Sequence, residues 1–359
     1  MKLFLHKISS LKYWPFQILY IPIYFLLGFY AFKAKAIFFF NASNPAIRNG
    51  GFIMNSKKAI YDMIPQKYYP KTILIKEKTS LAEIVSTIKN KRIQFPLIAK
   101  PDIGLKGRGV EKIKSVTELK KYKENANFDF LLQDMIPFEN QIEIFYVRYP
   151  SMRVGKITGI ATKEILIVTG DGISTIDELI NEIPRSKRQM KILPNGYKKK
   201  LKEVLEEGEQ RDLVLFGNHF RRANFLDVSH WISPKLSQTI NTISAQIPEF
   251  YFGRFDIMYN NLEELERGEN FSIVELNGAV SKPNHIYDPK HSVWFAWKEL
   301  ARHITYMYEI SVLNNQKGVP YLACKVGINQ YRLHLAQRKK IAKFKVTYFL
   351  NNQIKMYNG

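Results

Sequence analysis

Neither end of this 359-residue chain carries an acidic side chain: no Asp or Glu precedes Asp62, and none follows Glu309. The first 61 residues hold eight Lys or Arg and the last 50 hold nine, so seventeen charges of the net +22 sit in the two ends. Residues 62–309 carry 37 basic and 32 acidic residues, a net +5 that is ordinary for an enzyme. Basic ends on a near-neutral middle suit a polyanionic surface, acidic lipid or nucleic acid. Cysteine is almost missing too. Cys324 stands alone, which excludes an internal disulfide and a CxxC zinc site and fits a reducing compartment. There is no internal repeat and no low-complexity tract. With 46% hydrophobic and 24% charged residues the chain is neither disordered nor fibrous. Its length exceeds one compact core and allows two or three lobes able to close a cleft.

Charge of either sign is absent from residues 13–32, YWPFQILYIPIYFLLGFYAF, which Lys12 and Lys33 close off. A helix of that length reaches about 30 Å, the hydrocarbon thickness of a bilayer. Pro15 and Pro22 break such a helix, and tyrosines run along the whole stretch instead of gathering at two interfaces. The pattern predicts a kinked or re-entrant helix lying at the membrane interface, with a buried hairpin as the alternative. No small-residue cleavage site precedes Lys33, so the segment does not read as a signal peptide.

Residues 41–58, NASNPAIRNGGFIMNSKK, read as a linker or loop by their Asn, Ser and Gly content. Beyond them helical and strand patterns alternate. Ser80 with Glu83 and Ser115 with Glu118 form two capping boxes. The first opens a helix with Leu81, Ile84, Val85 and Ile88 on one face. FPLIAKP, FLLQDMI, IEIFYVRY, EILIV, FYFGRFDIMY and FSIVEL read as strands, with helices near 176–183, 234–247 and 293–310. The acidic stretch NLEELERGEN reads as the turn of a hairpin joining the last two strands. The class is α+β.

Two features carry chemistry. After Lys100, PDIGLKGRGV alternates Gly104, Gly107 and Gly109 with Lys106 and Arg108. Glycines let backbone N–H groups approach phosphate oxygens, although a flexible basic hairpin reads the same way. The second feature is GRFDI (253–257) followed by VELN (274–277). Side chains alternate across a strand, so Arg254 and Asp256 share one face, as do Glu275 and Asn277. Pairing the strands collects two carboxylates, an amide oxygen and a guanidinium, hard donors that suit magnesium, or else a surface salt-bridge cluster.

Lysine strand, glycine loop, then Arg-x-Asp and Glu-x-Asn strands resemble the ATP-grasp superfamily over residues 71–291, with D-alanine–D-alanine ligase, glutathione synthetase and cyanophycin synthetase nearest in look. The resemblance implies two lobes clasping ATP, preceded here by an apolar helical N-terminal segment. It implies ATP and Mg2+ as cofactors, with Lys100, Gly104, Gly107 and Gly109 on the phosphates, Gln133 near the purine edge and Glu143 near the ribose. Asp256, Glu275 and Asn277 match the metal ligands, Arg254 the arginine facing the transferred phosphoryl group, and Lys163 a second phosphate contact. VTGDGISTIDELI (168–180) is similar to a segment of cyanophycin-synthetase-like members. Relatives begin with a larger α/β domain that helps bind the acceptor, which these first 60 residues do not match. The segment at 217–227, GNHFRRANFLD, lacks the small residues of the relatives' substrate loop. Arg221 and Arg222 there could hold a substrate carboxylate or phosphate, or be a solvated basic turn. His219, His285 and His291 receive no role.

The reading divides the chain into a membrane-associated segment and linker (1–57), a first lobe with the glycine loop (58–140), a second lobe with the metal site (141–310) and a basic C-terminal tail (311–359). The implied activity is carboxylate–amine ligation through an acyl phosphate, acting on small-molecule or peptide-like carboxylates and amines. The expected location is the cytoplasmic face of the cell membrane, on an anionic surface, and nucleic acid is not the expected partner. The alternatives are a kinase acting on a non-carboxylate acceptor and a non-catalytic membrane or nucleic-acid adaptor.

Overall fold

The computed structural model describes residues 19–104, 107–164, 167–182, 200–212 and 224–357. The chain forms two compact units: Met1–Ile21, Ala161–Val228 and Asn284–Glu299 make one, and Pro22–Ile160, Ser229–Pro283 and Leu300–Gly359 the other.

The larger unit opens with helix α1 (Ile21–Lys33). Ile23 is buried, and Leu27, Tyr30 and Ala31 pack on Phe145, Phe252, Met307 and Ile310. The Tyr30 ring stacks on Tyr308 at 4.2 Å, and its hydroxyl is hydrogen-bonded to Thr305 Oγ1 at 2.9 Å. The opposite face leaves Tyr24, Phe25, Phe29 and Phe32 exposed, with Phe25 at 76% and Phe32 at 85%. At 1.5 Å per residue α1 is about 20 Å long. Among the described residues no helix is long and apolar enough to cross a membrane.

The stretch that reads as a linker is folded into this unit. Asn44 is fully buried; its Nδ2 donates to Gly50 O (3.0 Å) and Phe252 O (2.8 Å), and its Oδ1 accepts from the N–H groups of Tyr251 and Phe252, both at 2.9 Å. Gly51, at φ 85°, lies so close to Gly278 that an added Cβ would be 2.5 Å from the Gly278 Cα. A side chain is excluded there, and composition alone gives no sign of that contact.

A four-stranded antiparallel sheet follows, in the order β1-β4-β2-β3. Its strands are β1 (Thr72–Ile75), β2 (Leu97–Pro101), β3 (Glu111–Ile113) and β4 (Phe130–Asp134). Helices α2 (Lys57–Met63), α3 (Leu81–Asn90) and α4 (Val116–Asn125) accompany it. The capping box at α3 is complete: Ser80 Oγ accepts from Glu83 N, and Glu83 Oε2 accepts from Ser80 N at 2.8 Å. At α4, Ser115 caps Glu118 N, while the Glu118 carboxylate accepts from Lys114 N instead of closing the box. Ile84, Ile88, Leu119 and Tyr122 fill the core under this sheet.

The second sheet begins with the order β11-β10-β5-β6, from β5 (Asn140–Val147), β6 (Lys156–Glu164), β10 (Phe252–Tyr259) and β11 (Phe271–Asn277). The β10–β11 connection is not a bare turn but a short helix (Leu262–Arg267), N-capped by Asn261 and stopped by Gly268 at φ 77°. Asn at the cap and acids in the first turn favour that helix over a tight loop. After helices α5 (Ile176–Glu182), α6 (Pro234–Ala245), α7 (Leu262–Arg267) and α8 (Val293–Gln316), residues Cys324–Tyr357 form a long helix, α9, whose Ile341 and Phe344 are buried in the core under the first sheet.

In the smaller unit, the end of β6 pairs with β9 (Asn224–Asp227), and β7 (Ile167–Thr169) pairs with β8 (Gln210–Asp212). His285 lies 3.3 Å from Glu299 and His291 2.7 Å from Asp227, with the His291 ring stacked on Phe295 at 3.8 Å.

Candidate active site

The strand register builds the site. Asp256 on β10 is the partner of Glu143 on β5 and of Glu275 on β11, so three carboxylates form a row across three adjacent strands. Arg254, two residues along β10 and opposite Asn277, supplies the counter-charge. Its Nε and Nη2 donate to the two Asp256 oxygens at 2.6 and 2.9 Å. Its Nη1 lies 3.3 Å from Glu143 Oε2. Burial opposes charge on this guanidinium, but Asp256 and Glu143 more than reverse that and raise its pKa above the ordinary value. Burial pushes the Asp256 carboxyl up to about 6 despite the opposing pull of Arg254. Glu275 is lowered: burial raises it, and Lys57, Lys100 and Arg254 outweigh that.

Lys100, next to last on β2, has its side chain buried. Nζ donates to the Tyr61 hydroxyl at 2.9 Å and lies 3.5 Å from Val274 O. Tyr61 OH itself donates to Val274 O. Burial, partly offset by Glu275, lowers the Lys100 pKa to about 8. The Tyr61 hydroxyl is raised by its own burial, and stays protonated.

Sequence reasoning passed over Lys57. It starts α2, where Ser56 caps the helix and donates its hydroxyl to Asp102 Oδ1 at 3.0 Å. The Lys57 N–H also donates to Asp102 O at 3.1 Å. So fixed, Nζ reaches Gly104 O at 2.8 Å and lies 3.6 Å from Glu275 Oε1. It ties the glycine loop to the carboxylate row. The only signal in the sequence was a Ser at an N-cap.

Gly107 and Gly109 take left-handed conformations at φ 56° and 70°, and Gly109 O accepts from Tyr122 OH at 2.7 Å. Leu105 and Lys106 lie outside the described residues. Gln133 is buried on β4 and donates to Thr72 Oγ1 at 2.7 Å. Lys163 is exposed on β6 in the smaller unit. His219, Arg221 and Arg222 lie outside the described residues.

The donors suit a hard cation: two carboxylates and an amide. Among the described residues no group of three or more His, Cys, Asp or Glu is spaced to hold a metal ion. Asn277 turns its Nδ2 toward Asp256 Oδ2 and Glu275 Oε2, 3.5 Å from each. Holding magnesium requires that amide to turn over and Arg254 and Lys57 to yield their carboxylates.

No protein-family model matches the chain, and no curated protein does. Among solved structures it is similar to D-alanine–D-alanine ligase from Bacillus anthracis, at 13% identity and a TM-score of 0.42, over 73% of this chain and 68% of that one. It is also similar to VanG D-Ala:D-Ser ligase from Enterococcus faecalis, at 11% and 0.41, over 70% and 61%. A third is a bifunctional glutathione synthetase from Pasteurella multocida, at 13% and 0.37, over 71% and 38%. At such identities and TM-scores, the roles of residues rest on their own arrangement.

Proposed function

We propose that this chain is a Mg·ATP-dependent carboxylate–amine ligase of the ATP-grasp type, working at the cytoplasmic surface of the membrane. The observation that carries the reading is the row Glu143–Asp256–Glu275 with Arg254 across it and Lys100 beside it. Cations and acids are balanced in this patch. A triphosphate with two magnesium ions is close to neutral, so it enters without a large change in net charge.

In this reading Lys100 and the backbone of Gly104, Gly107 and Gly109 hold the triphosphate, and Gln133 lies toward the purine. Glu143 anchors Arg254. Asp256, Glu275 and the Asn277 amide oxygen would hold magnesium, which would supply charge neutralisation at the phosphates. A substrate carboxylate oxygen attacks the γ-phosphorus in line; the bond to the ADP oxygen breaks and an acyl phosphate forms. An amine then attacks the acyl carbon, phosphate leaves, and the amine's proton passes to phosphate or solvent. Arg254, charged throughout the working pH range, stabilises the oxygens that gain charge in both steps.

Attachment to the membrane draws on the exposed aromatic face of α1 and on the acid-free ends. Aromatic rings with lysines at the flank favour an interfacial position.

The test is Mg·ATP binding by calorimetry, followed by hydroxylamine trapping of the acyl phosphate with a panel of carboxylic acids. A hydroxamate with ADP release supports the ligase. ADP release with a stable phosphorylated product and no hydroxamate replaces it with a kinase, and absence of ATP binding overturns both.

A further inference from the structure

The two acid-free stretches lie at opposite ends of the sequence, yet the fold joins them. Phe38, just beyond α1, pairs with Leu322 as an isolated antiparallel bridge. Gly327 on α9 lies so close to Phe38 that an added Cβ would be 2.3 Å from its ring. Asn41 Nδ2 donates to Pro320 O at 3.1 Å, and its Oδ1 accepts from Leu322 N at 2.9 Å. Arg48 Nη2 donates to Gln330 Oε1 at 3.0 Å. The end of α1 and the start of α9 are thus held against one another. Exposed cations stand on both sides of the junction: Lys33 and Lys35 on one, Lys325 and Arg332 on the other.

Helix α9 has three faces. Gly327, His334, Ile341 and Phe344 are buried, and their spacing of seven and three marks the side turned to the protein. Lys325, Arg332, Lys339 and Lys343 are exposed on the opposite side. Between these two faces runs an apolar stripe of Ile328, Tyr331 and Leu335, exposed by 45%, 48% and 39%. A helix that already has one face in a core gains nothing in stability from a second apolar stripe left in water. Apolar residues beside a row of cations are the pattern of a helix lying at the headgroup boundary of a bilayer.

We propose that α1 and α9 together form one docking surface for an anionic lipid bilayer. Ile328, Tyr331 and Leu335 enter the headgroup boundary alongside the exposed rings of α1, and the basic face of α9 meets the lipid phosphates. Charge complementarity selects this occupant. A second copy of the chain would bring one acid-free surface against another, like charge to like charge. A nucleic acid would match the cations but leave the Ile–Tyr–Leu stripe and the α1 rings in water. The proposal rests on the membrane part of the ligase reading and deepens it by making the C-terminal helix a second, specific contact.

The experiment uses the full chain with vesicles of phosphatidylcholine, with or without phosphatidylglycerol. Cys324 is the only cysteine, is exposed, and lies on the same side of α9 as the apolar stripe, so it takes an environment-sensitive fluorophore without any substitution. On vesicles containing phosphatidylglycerol the emission should shift to the blue and resist quenching by iodide; on phosphatidylcholine alone it should do neither. Ile328→Ser with Leu335→Ser should weaken co-sedimentation with the anionic vesicles about tenfold, and Arg332→Gln with Lys339→Gln by about tenfold or more at low salt. These side chains are exposed, circular dichroism checks folding, and the label reads the wild-type sequence if a variant misfolds. An unchanged label together with variants that sediment like wild type overturns α9 as a contact and leaves α1 alone. Duplex DNA that shifts the label and displaces the vesicles replaces the bilayer with nucleic acid, and a shift that depends on protein concentration without lipid replaces it with a second copy. Wild type that stays in the supernatant with anionic vesicles overturns the α1 contact as well, whereas failure of the catalytic reading appears only in the nucleotide and hydroxamate measurements.

Discussion

The Lys57 ammonium lies 3.6 Å from the Glu275 carboxylate while donating to Gly104 O at 2.8 Å. One side chain therefore occupies the carboxylate that a metal would need and fastens the loop that would cover phosphate. The pair is partly exposed, so its strength is near 1 kcal/mol. Lys57→Met should tighten nucleotide-free Mn2+ binding by about fivefold, the equivalent of that energy, as read by paramagnetic resonance. Unchanged or weaker Mn2+ binding would show that Lys57 does not compete for Glu275.

Asp256→Asn keeps shape and removes a charge from the centre of the row. Turnover should fall by about a hundredfold or more, since even the outer partners of metal ligands change affinity by 10–100-fold. The fold should persist because Glu143 still pairs with Arg254 at 3.3 Å. Circular dichroism establishes folding first, and full activity in the folded variant would move the metal site elsewhere.

Lys100 is charged below its folded pKa of about 8 and loses the charge as pH rises through that value. Phosphate binding favours the ammonium. The apparent Kd for Mg·ATP should thus be flat below pH 8 and rise by up to about tenfold per unit above it. Lys100→Arg should flatten the profile. Stability should move the other way: the unfolded lysine titrates near 10.4, so the unfolded chain binds more protons across pH 8 to ~10.4 and the fold gains stability over that window.

Phe344 on α9 packs edge-on against Tyr122 at 5.0 Å and Phe128 at 5.3 Å. Phe344→Ala should cost about 3–5 kcal/mol of stability, as other buried Phe truncations do, read by urea unfolding. A cost near zero would make the helix a detachable tail.

Phe25→Ser together with Phe32→Ser removes two exposed rings from α1. If each loses about 1.5 kcal/mol of apolar transfer, partitioning onto anionic vesicles should drop about a hundredfold. The remaining binding should disappear in high salt, where the basic ends are screened. Sedimentation with vesicles reads both, and equal binding of the variant rules out α1 as the contact.

Much of the site was legible because strand alternation is local. Once GRFDI and VELN are strands, Arg254 with Asp256 and Glu275 with Asn277 must share faces. The capping signal of α3 and the apolar face of Ile84 and Ile88 are likewise written within ten residues. What escaped depends on contacts between residues far apart in the chain. Glu143 joined the row through register with Asp256, and register is a property of two strands. Asn44 looked like a linker residue until its amide met Tyr251 and Phe252. The sequence alone determined which side chains could share a face and where charge is missing, because those follow from backbone periodicity and composition. Only the tertiary structure decided that Lys57 meets Glu275, that Ile341 and Phe344 turn a basic tail into core, and that Phe38 and Leu322 bring the two acid-free ends together. Such pairings are fixed by packing across hundreds of residues, which no local pattern encodes.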